Sequence, residues 1–153
     1  MSEDRWRPNA TVATVVVDDR QRFLLVEERD PESGRLVLNQ PAGHLEARET
    51  LEQAACREVL EESAWEVRLG GVLGIALYTP PGSATTFLRC TFAATPLRHH
   101  PRRPLDSPIL ALHWLDRGEL EAESARLRSP LVLDSVDRYL AGAIYPLELI
   151  RYP

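Results

Sequence analysis

The sequence predicts one α/β domain with a mixed sheet. Three observations lead there. The length of 153 residues suits one domain of ordinary size, short β-branched runs alternate with two helical patterns, and no repeat, low-complexity tract or linker interrupts them. With 44% hydrophobic and 27% charged residues and a mean hydropathy of -0.25, the chain has the composition of a globular protein that buries its own core. A net charge of -5 disfavours broad phosphate neutralisation on a nucleic acid, although a local site can still take a small anion.

Residues 10–17 (ATVATVVV) are β-branched, an Asp-Asp-Arg-Gln turn follows, and 23–28 continue as a second apolar stretch, which together predict a hairpin. Residues 29–35 are turn-rich. Leu36 to Leu38 lead into NQPAGHLE, where Pro41 and Gly43 predict an irregular loop. Thr50 to Ser63 contains neither Gly nor Pro and is dominated by strong helix formers, making it the clearest helix of the chain. Residues 67–79 and 84–94 read as antiparallel strands joined by Pro80, Pro81, Gly82 and Ser83. After an Arg/His/Pro stretch at 98–104, residues 109–115 read as a last strand. Residues 129–141 read as a helix with Ser129 at its N-cap and Pro130 at its first position.

Several function classes are excluded by composition. All 18 basic residues are Arg, so lysine Schiff-base chemistry and a P-loop lysine are absent. Cys56 and Cys90 are too widely separated for a zinc or redox spacing and read as reduced core residues. The N-terminal segment lacks a signal-peptide pattern, and no apolar run reaches membrane-spanning length, so a cytoplasmic protein with no membrane partner is expected.

The chemistry concentrates on the 50–63 helix. Advancing ~100° per residue, Glu58, Glu61 and Glu62 fall on one stripe. In solvent such repulsion is cheap, and a solvated acidic face is the plainer reading of the helix alone. Drawn into a cleft, the same carboxylates must take up protons or bind a multivalent cation. Arg57 stands beside them and can pair with Glu49 at the helix entrance, bracing loop against helix.

The stretch GHLEARETLEQAACREVLEESAW, Gly43 to Trp65, resembles the Nudix box, G-x5-E-x7-R-E-U-x-E-E-x-G-U, of the Nudix hydrolase family. Gly43, Glu49, Arg57, Glu58, Val59, Glu61, Glu62 and Trp65 fall in register. Ala64 stands where that family has Gly, so either the helix ends differently or Ala64 carries ~1 kcal/mol of left-handed strain. The flanking LNQPAGHLE and RSPLVLDSVDRYLAGAIYPLELI are similar to a NudJ-like phosphatase branch acting on nucleoside tri- and diphosphates and on the thiamine-pyrimidine diphosphate.

The resemblance implies a Nudix-type α/β/α sandwich over 1–153, with the box as loop-helix-loop, and Mg²⁺ as cofactor with Mn²⁺ as a substitute. It implies Glu58 and Glu62 as principal metal ligands, Glu61 as a further ligand or water-orienting base, the Ala42 carbonyl completing the site, and Gly43 and Glu49 as structural box residues. Glu58, Glu61 and Arg57 form the expected catalytic set. A carboxylate outside the box is expected in many relatives, and Asp106 is the candidate here, with a turn-forming Asp as the alternative. His44, Gln40 and Arg89 are the candidate substrate-binding residues. Arg7 and Arg102 are further phosphate candidates, and Trp6, Tyr78 and Phe87 are candidate stacking aromatics, each with a surface or packing role as the plainer alternative.

The expected function is Mg²⁺-dependent release of phosphate from nucleotides or hydroxymethylpyrimidine diphosphate. Two alternatives remain: an ADP-ribose or dinucleoside-polyphosphate pyrophosphatase, suggested by Pro80 and Pro81, and a non-catalytic nucleotide-sensing module. A small-molecule partner is expected and nucleic acid is not; monomer and homodimer both remain open.

Overall fold

The computed structural model describes residues 5–153; the first four residues of the expected 1–153 domain lie outside the described residues. Seven strands and three α-helices follow one another as β1 (Asn9–Val16), β2 (Phe23–Arg29), β3 (Leu36–Asn39), β4 (Ala42–His44), α1 (Leu51–Ser63), β5 (Trp65–Tyr78), β6 (Phe87–His99), β7 (Ile109–Leu115), α2 (Arg117–Ala122) and α3 (Leu131–Leu140). A four-stranded mixed sheet runs β4-β1-β6-β5, with β1 and β6 parallel, and a three-stranded antiparallel sheet runs β3-β2-β7.

β1 and β2 do not form the expected hairpin. Their only ladder pairing is the isolated Val17–Phe23 bridge, after which they diverge into different sheets. Val12 to Val17 and Phe23 to Val26 are buried almost without interruption, so both faces of each strand must be covered. A two-stranded ribbon would leave one face wet. The split supplies the cover: Val15 and Val17 meet Phe23 and Leu25 beneath Val132 and Val136 of α3, while Val12 and Phe92 pack against Ala54 and Ala55 of α1. Helices thus flank the four-stranded sheet on both faces, giving the α/β/α sandwich.

The loop expected at NQPAGHLE contains a strand. Ala42–His44 pairs with β1 (Thr11 with His44, Val12 with Gly43, Ala13 with Ala42), and three residues are too few for sequence periodicity to reveal. β6 also runs through Pro96 into the stretch expected to be irregular. Pro96 lies beyond Ala94, where β1 no longer flanks the strand, and a missing N–H is tolerated there.

Thr50 caps α1 in a capping box: its hydroxyl accepts from the Gln53 N–H at 3.1 Å while Gln53 Oε1 accepts from the Thr50 N–H at 2.8 Å. Ala64 ends the helix in the left-handed conformation (φ 58°, ψ 21°), its N–H donating to the Leu60 carbonyl. Pro130 takes the cap position of α3, one residue later than expected, while the Ser129 hydroxyl still accepts from the Leu131 N–H. The short α2, with Asp116 and Glu119 forming its own capping box, was not expected. Both cysteines are free; Cys90 is buried as expected, and Cys56 is only half-buried.

Candidate active site

The edge of the mixed sheet meets the acidic stripe of α1. The hydrogen-bonded ladder positions between β1 and β4 put Pro41 and Leu45 in contact with β1, with Thr14 N–H donating to the Pro41 carbonyl and Leu45 N–H to the Ala10 carbonyl. By alternation, the backbone groups of Ala42 and His44 point away from β1. Both meet the box: Ala42 N–H donates to Glu62 Oε2 at 3.0 Å, and the His44 carbonyl accepts from Arg57 Nη2 at 3.0 Å. The Ala42 carbonyl shares that outward direction.

Gly43, between them, has no room for a side chain. A Cβ there would overlap all three carboxyl atoms of Glu58, so glycine at this position is what lets the Glu58 carboxylate lie against the strand.

Arg57 is the hub. It grips Glu49 with two parallel bonds, Nε to Oε2 at 3.0 Å and Nη2 to Oε1 at 2.7 Å, while Nη1 donates to Glu58 Oε1 at 2.8 Å and Glu61 Oε2 at 3.1 Å. The brace between helix and entrance loop is therefore bidentate and only part-exposed, geometry that makes it stronger than a solvated ion pair. The Arg57 hydrogen bonds hold the Glu49 carboxyl below its usual range and push the Arg57 pKa up.

Two carboxylates are pushed the other way. Burial raises the Glu58 pKa against the pull of Arg57, with the charges of Glu61 and Asp106 adding to the rise. Burial drives Glu62 up to about 8, opposed by the Ala42 N–H and reinforced by the charges of Glu58, Glu28 and Asp106. Asp106 is tied to the helix by its own N–H, which donates to the Glu61 carbonyl at 3.0 Å.

Among the described residues, no three acidic, imidazole or thiol side chains stand as a ready-made metal cage; Arg57 holds one oxygen each of Glu58 and Glu61. The donor set nevertheless fits a hard divalent cation. All donors are oxygens, the buried carboxylates carry a charge excess that a cation removes, and the glycine-lined cradle keeps Glu58 at the strand.

A cleft of about 540 Å³ opens from this edge. His44, Arg89, Tyr78, Phe87, Pro80 and Pro81 line it. Gln40 does not: it is 2% exposed and serves Arg89, its Oε1 accepting from Arg89 Nη2 at 2.7 Å while its Nε2 donates to the Val132 carbonyl at 2.8 Å. The structure thus places Gln40 behind Arg89 and not at the cleft surface expected of it. Trp6 is 64% exposed and outside the cleft, Arg7 is exposed and also outside it, and Arg102 lines a separate hollow beside His99 and His100.

Sequence reasoning missed Asn39, Glu28 and Arg128 on the cleft wall, where Arg128 Nη1 bonds Glu28 Oε1 at 2.6 Å. That pair is a hundred residues apart in sequence and leaves no local signal.

The NUDIX domain profile matches residues 7–135. The chain belongs to the Nudix hydrolase family. This Nudix hydrolase is 40% identical over 145 residues to Phosphatase NudJ of Escherichia coli K12, covering 95% of this chain and 92% of that protein. A solved NUDIX hydrolase from Nitrosomonas europaea superposes with a TM-score of 0.91 at 41% identity, covering 96% of this chain and 98% of the other. The MutT protein of Methanosarcina mazei Go1, at 16% identity and a TM-score of 0.70 over 89% of this chain and 96% of the other, shares the fold alone.

Membership and the NudJ likeness make the protein a phosphohydrolase acting on phosphoric anhydride bonds, which removes the non-catalytic reading. No helix of the described residues is long and apolar enough to cross a membrane.

Proposed function

We propose that the protein, as one Nudix domain over residues 1–153, is a Mg²⁺-dependent phosphohydrolase that releases inorganic phosphate from nucleoside tri- and diphosphates and from hydroxymethylpyrimidine diphosphate. The observation that carries the proposal is the pair of incompletely compensated carboxylates, buried Glu58 and half-buried Glu62, facing a glycine-lined edge at the mouth of the cleft. The likeness to a protein called Phosphatase NudJ supports the phosphate-releasing outcome.

Glu58 and Glu62 would hold the ion, with Glu61 and the Ala42 carbonyl as further donors. Bound there, Mg²⁺, or Mn²⁺ in its place, neutralises developing charge and lowers the pKa of water. Arg57 keeps Glu58 and Glu61 pointed at the strand edge by joining both to Glu49. Glu61, part-exposed beside them, and Asp106, tied to the same helix end, are the groups placed to orient a water and hold its proton. His44, exposed at the cleft edge, lies within reach of a substrate phosphate. Arg89 supplies positive charge deeper in the cleft.

A second reading, hydrolysis of ADP-ribose or a dinucleoside polyphosphate into two phosphate-bearing fragments, is favoured by Pro80 and Pro81 at the cleft rim. Product identity separates the two. Purified protein with Mg²⁺ is given nucleoside tri- and diphosphates, hydroxymethylpyrimidine diphosphate and ADP-ribose. Inorganic phosphate appearing without an added phosphatase is the expected result; phosphate seen only after phosphatase treatment favours the second reading. Glu58→Gln and Glu62→Gln should each lower turnover by roughly a hundredfold or more while the protein stays folded. Near-normal turnover in both overturns the ligand assignment.

A further inference from the structure

The walls of the cleft are mostly acidic. Among the described residues that line it, Glu28, Asp30, Glu32 and Glu62 are acids, and Arg89 and Arg128 are the arginines. A polyanion entering the cleft has to meet positive charge there, beyond whatever a bound cation supplies. Arg89 offers little surface for that, being 8% exposed with its Nη2 donating to Gln40. The Arg128 side chain is 38% exposed. It is the guanidinium that an incoming anion can touch.

Arg128 is held at both ends. Its backbone N–H donates to the Leu38 carbonyl at 2.9 Å on the outer edge of β3, next to the Leu38–Leu127 bridge. Its Nη1 donates to Glu28 Oε1 at 2.6 Å, so the side chain crosses β3 to reach β2. It does so on the face of that ladder that lines the cleft, where Val26 pairs with Asn39 and Glu28 with Val37. This wall adjoins the box. Leu38 precedes Ala42 by four residues, at most ~14 Å of extended chain, and the Glu28 charge is one of those that push Glu62 up.

The grip on Glu28 is end-on. Arg57 holds Glu49 through Nε and Nη2, the edge of a guanidinium that matches two oxygens of one carboxylate or phosphate. In Arg128 that edge has no partner among the described residues, and Nη1 alone is engaged. A purely structural ion pair gains most from the two-bond arrangement, which is unused here.

We propose that Arg128 binds the phosphate chain of the substrate, its Nε–Nη2 edge donating to two oxygens of one phosphate, with Glu28 as the positioning residue that holds Nη1. This rests on the function proposed above and adds to it a phosphate-contacting residue from outside the box.

The test reads binding, not turnover. Full-length protein at saturating Mg²⁺ is titrated by calorimetry with methylenediphosphonate, a pyrophosphate mimic whose P–C–P bridge resists hydrolysis, and Mg²⁺ is titrated separately without it. Arg128→Met should weaken the diphosphonate by about tenfold or more, as expected for charge-assisted hydrogen bonds, while Mg²⁺ affinity does not fall. Arg128→Lys should lose at least about threefold, because lysine keeps the charge but has no paired edge. Glu28→Gln controls for the ion pair. Its amide oxygen still accepts from Nη1 and one negative charge leaves the cleft, so the diphosphonate should bind as well as before or better. Thermal melts confirm folding, and if Arg128→Met does not fold, Arg128→Lys decides.

Wild-type protein that binds no diphosphonate overturns the proposal, as do folded Arg128 variants that bind it normally. So does equal loss in Glu28→Gln and Arg128→Met, which makes the pair a structural tie, or a parallel fall in Mg²⁺ affinity, which routes the effect through the cation. Diphosphonate binding lost in the Arg128 variants, in a protein that releases no phosphate from any nucleotide, supports the contact while defeating the proposed function. Nucleotide turnover with diphosphonate binding unchanged in Arg128→Met leaves that function standing and removes Arg128 from it.

Discussion

Gly43 and Ala64 bound the box, and a single methyl group has opposite significance at the two positions. At Gly43 a Cβ would overlap the Glu58 carboxylate, so Gly43→Ala must displace that group from the strand edge. The expected outcome is a folded protein whose Mg²⁺ affinity drops by about tenfold or more, the size of effect seen when ligand orientation is lost. Calorimetric titration with Mg²⁺ checks it, and unchanged affinity removes the cradle from the account. At Ala64 the methyl is already present in a left-handed conformation that costs ~1–2 kcal/mol. Ala64 is 1% exposed, so its methyl also contributes ~0.8 kcal/mol by burial. The two nearly cancel. Ala64→Gly should therefore shift stability by under ~1.5 kcal/mol in the stabilising direction, measured by urea denaturation; a marked loss would mean that the departure from the family pattern has been compensated by packing.

At the scale of the element, α1 is a capped rod with two carboxylates of its acidic stripe, Glu58 and Glu61, held by one arginine and the third, Glu62, by the Ala42 N–H. Thr50→Ala removes the cap bond to the Gln53 N–H and should cost ~1 kcal/mol of stability with little effect on turnover, because the stripe begins two turns later. Arg57→Lys should do the reverse. Lysine cannot reproduce the bidentate grip on Glu49 while also reaching Glu58 and Glu61, so kcat should fall by about ten- to a hundredfold with the circular dichroism spectrum unchanged. If Thr50→Ala lowers kcat as strongly as Arg57→Lys, the hub role is wrong.

The contrast also explains what could be read in advance. The cap, the stripe and the Arg57–Glu49 brace involve residues three to eight apart, and helical geometry converts such spacings directly into contacts. The Arg89–Gln40 bond spans 49 residues and depends on which strands become neighbours. The separation of β1 from β2 was similarly out of reach, because two continuous apolar runs joined by a tight turn describe a hairpin and a sheet-to-sheet crossing equally well. β4 was hidden by its length, and its whole contribution is to present one edge of three residues to the helix.

For the whole molecule, the proposed metal site would couple cation binding to folding and to pH. Glu62 in the metal-free fold has its pKa raised from 4.5 to about 8, chiefly by burial. Below 4.5 both folded and unfolded chains hold the proton, and the group contributes nothing to the pH dependence of stability. Between 4.5 and 8 the folded chain keeps a proton that the unfolded chain has released, so stability falls as pH rises, and above 8 the full penalty is present. Glu58, shifted in the same direction, adds to the slope. The groups with lowered values, among them Glu27, Glu49 and Asp18, have completed their contributions below this window. Chelated protein should therefore melt at progressively lower temperature from pH 5 to pH 8, and Glu62→Gln, whose amide oxygen can still accept from Ala42, should flatten that decline. Saturating Mg²⁺ should displace the proton, so its stabilisation ought to grow across the same interval and each binding event should release protons into the buffer. Calorimetry in buffers of different ionisation enthalpy measures that release directly. A chelated wild-type protein whose melting temperature is level or rising from pH 5 to pH 8, with no proton released on adding Mg²⁺, would place Glu62 outside the metal-linked equilibrium and leave the buried carboxylate with a purely structural role.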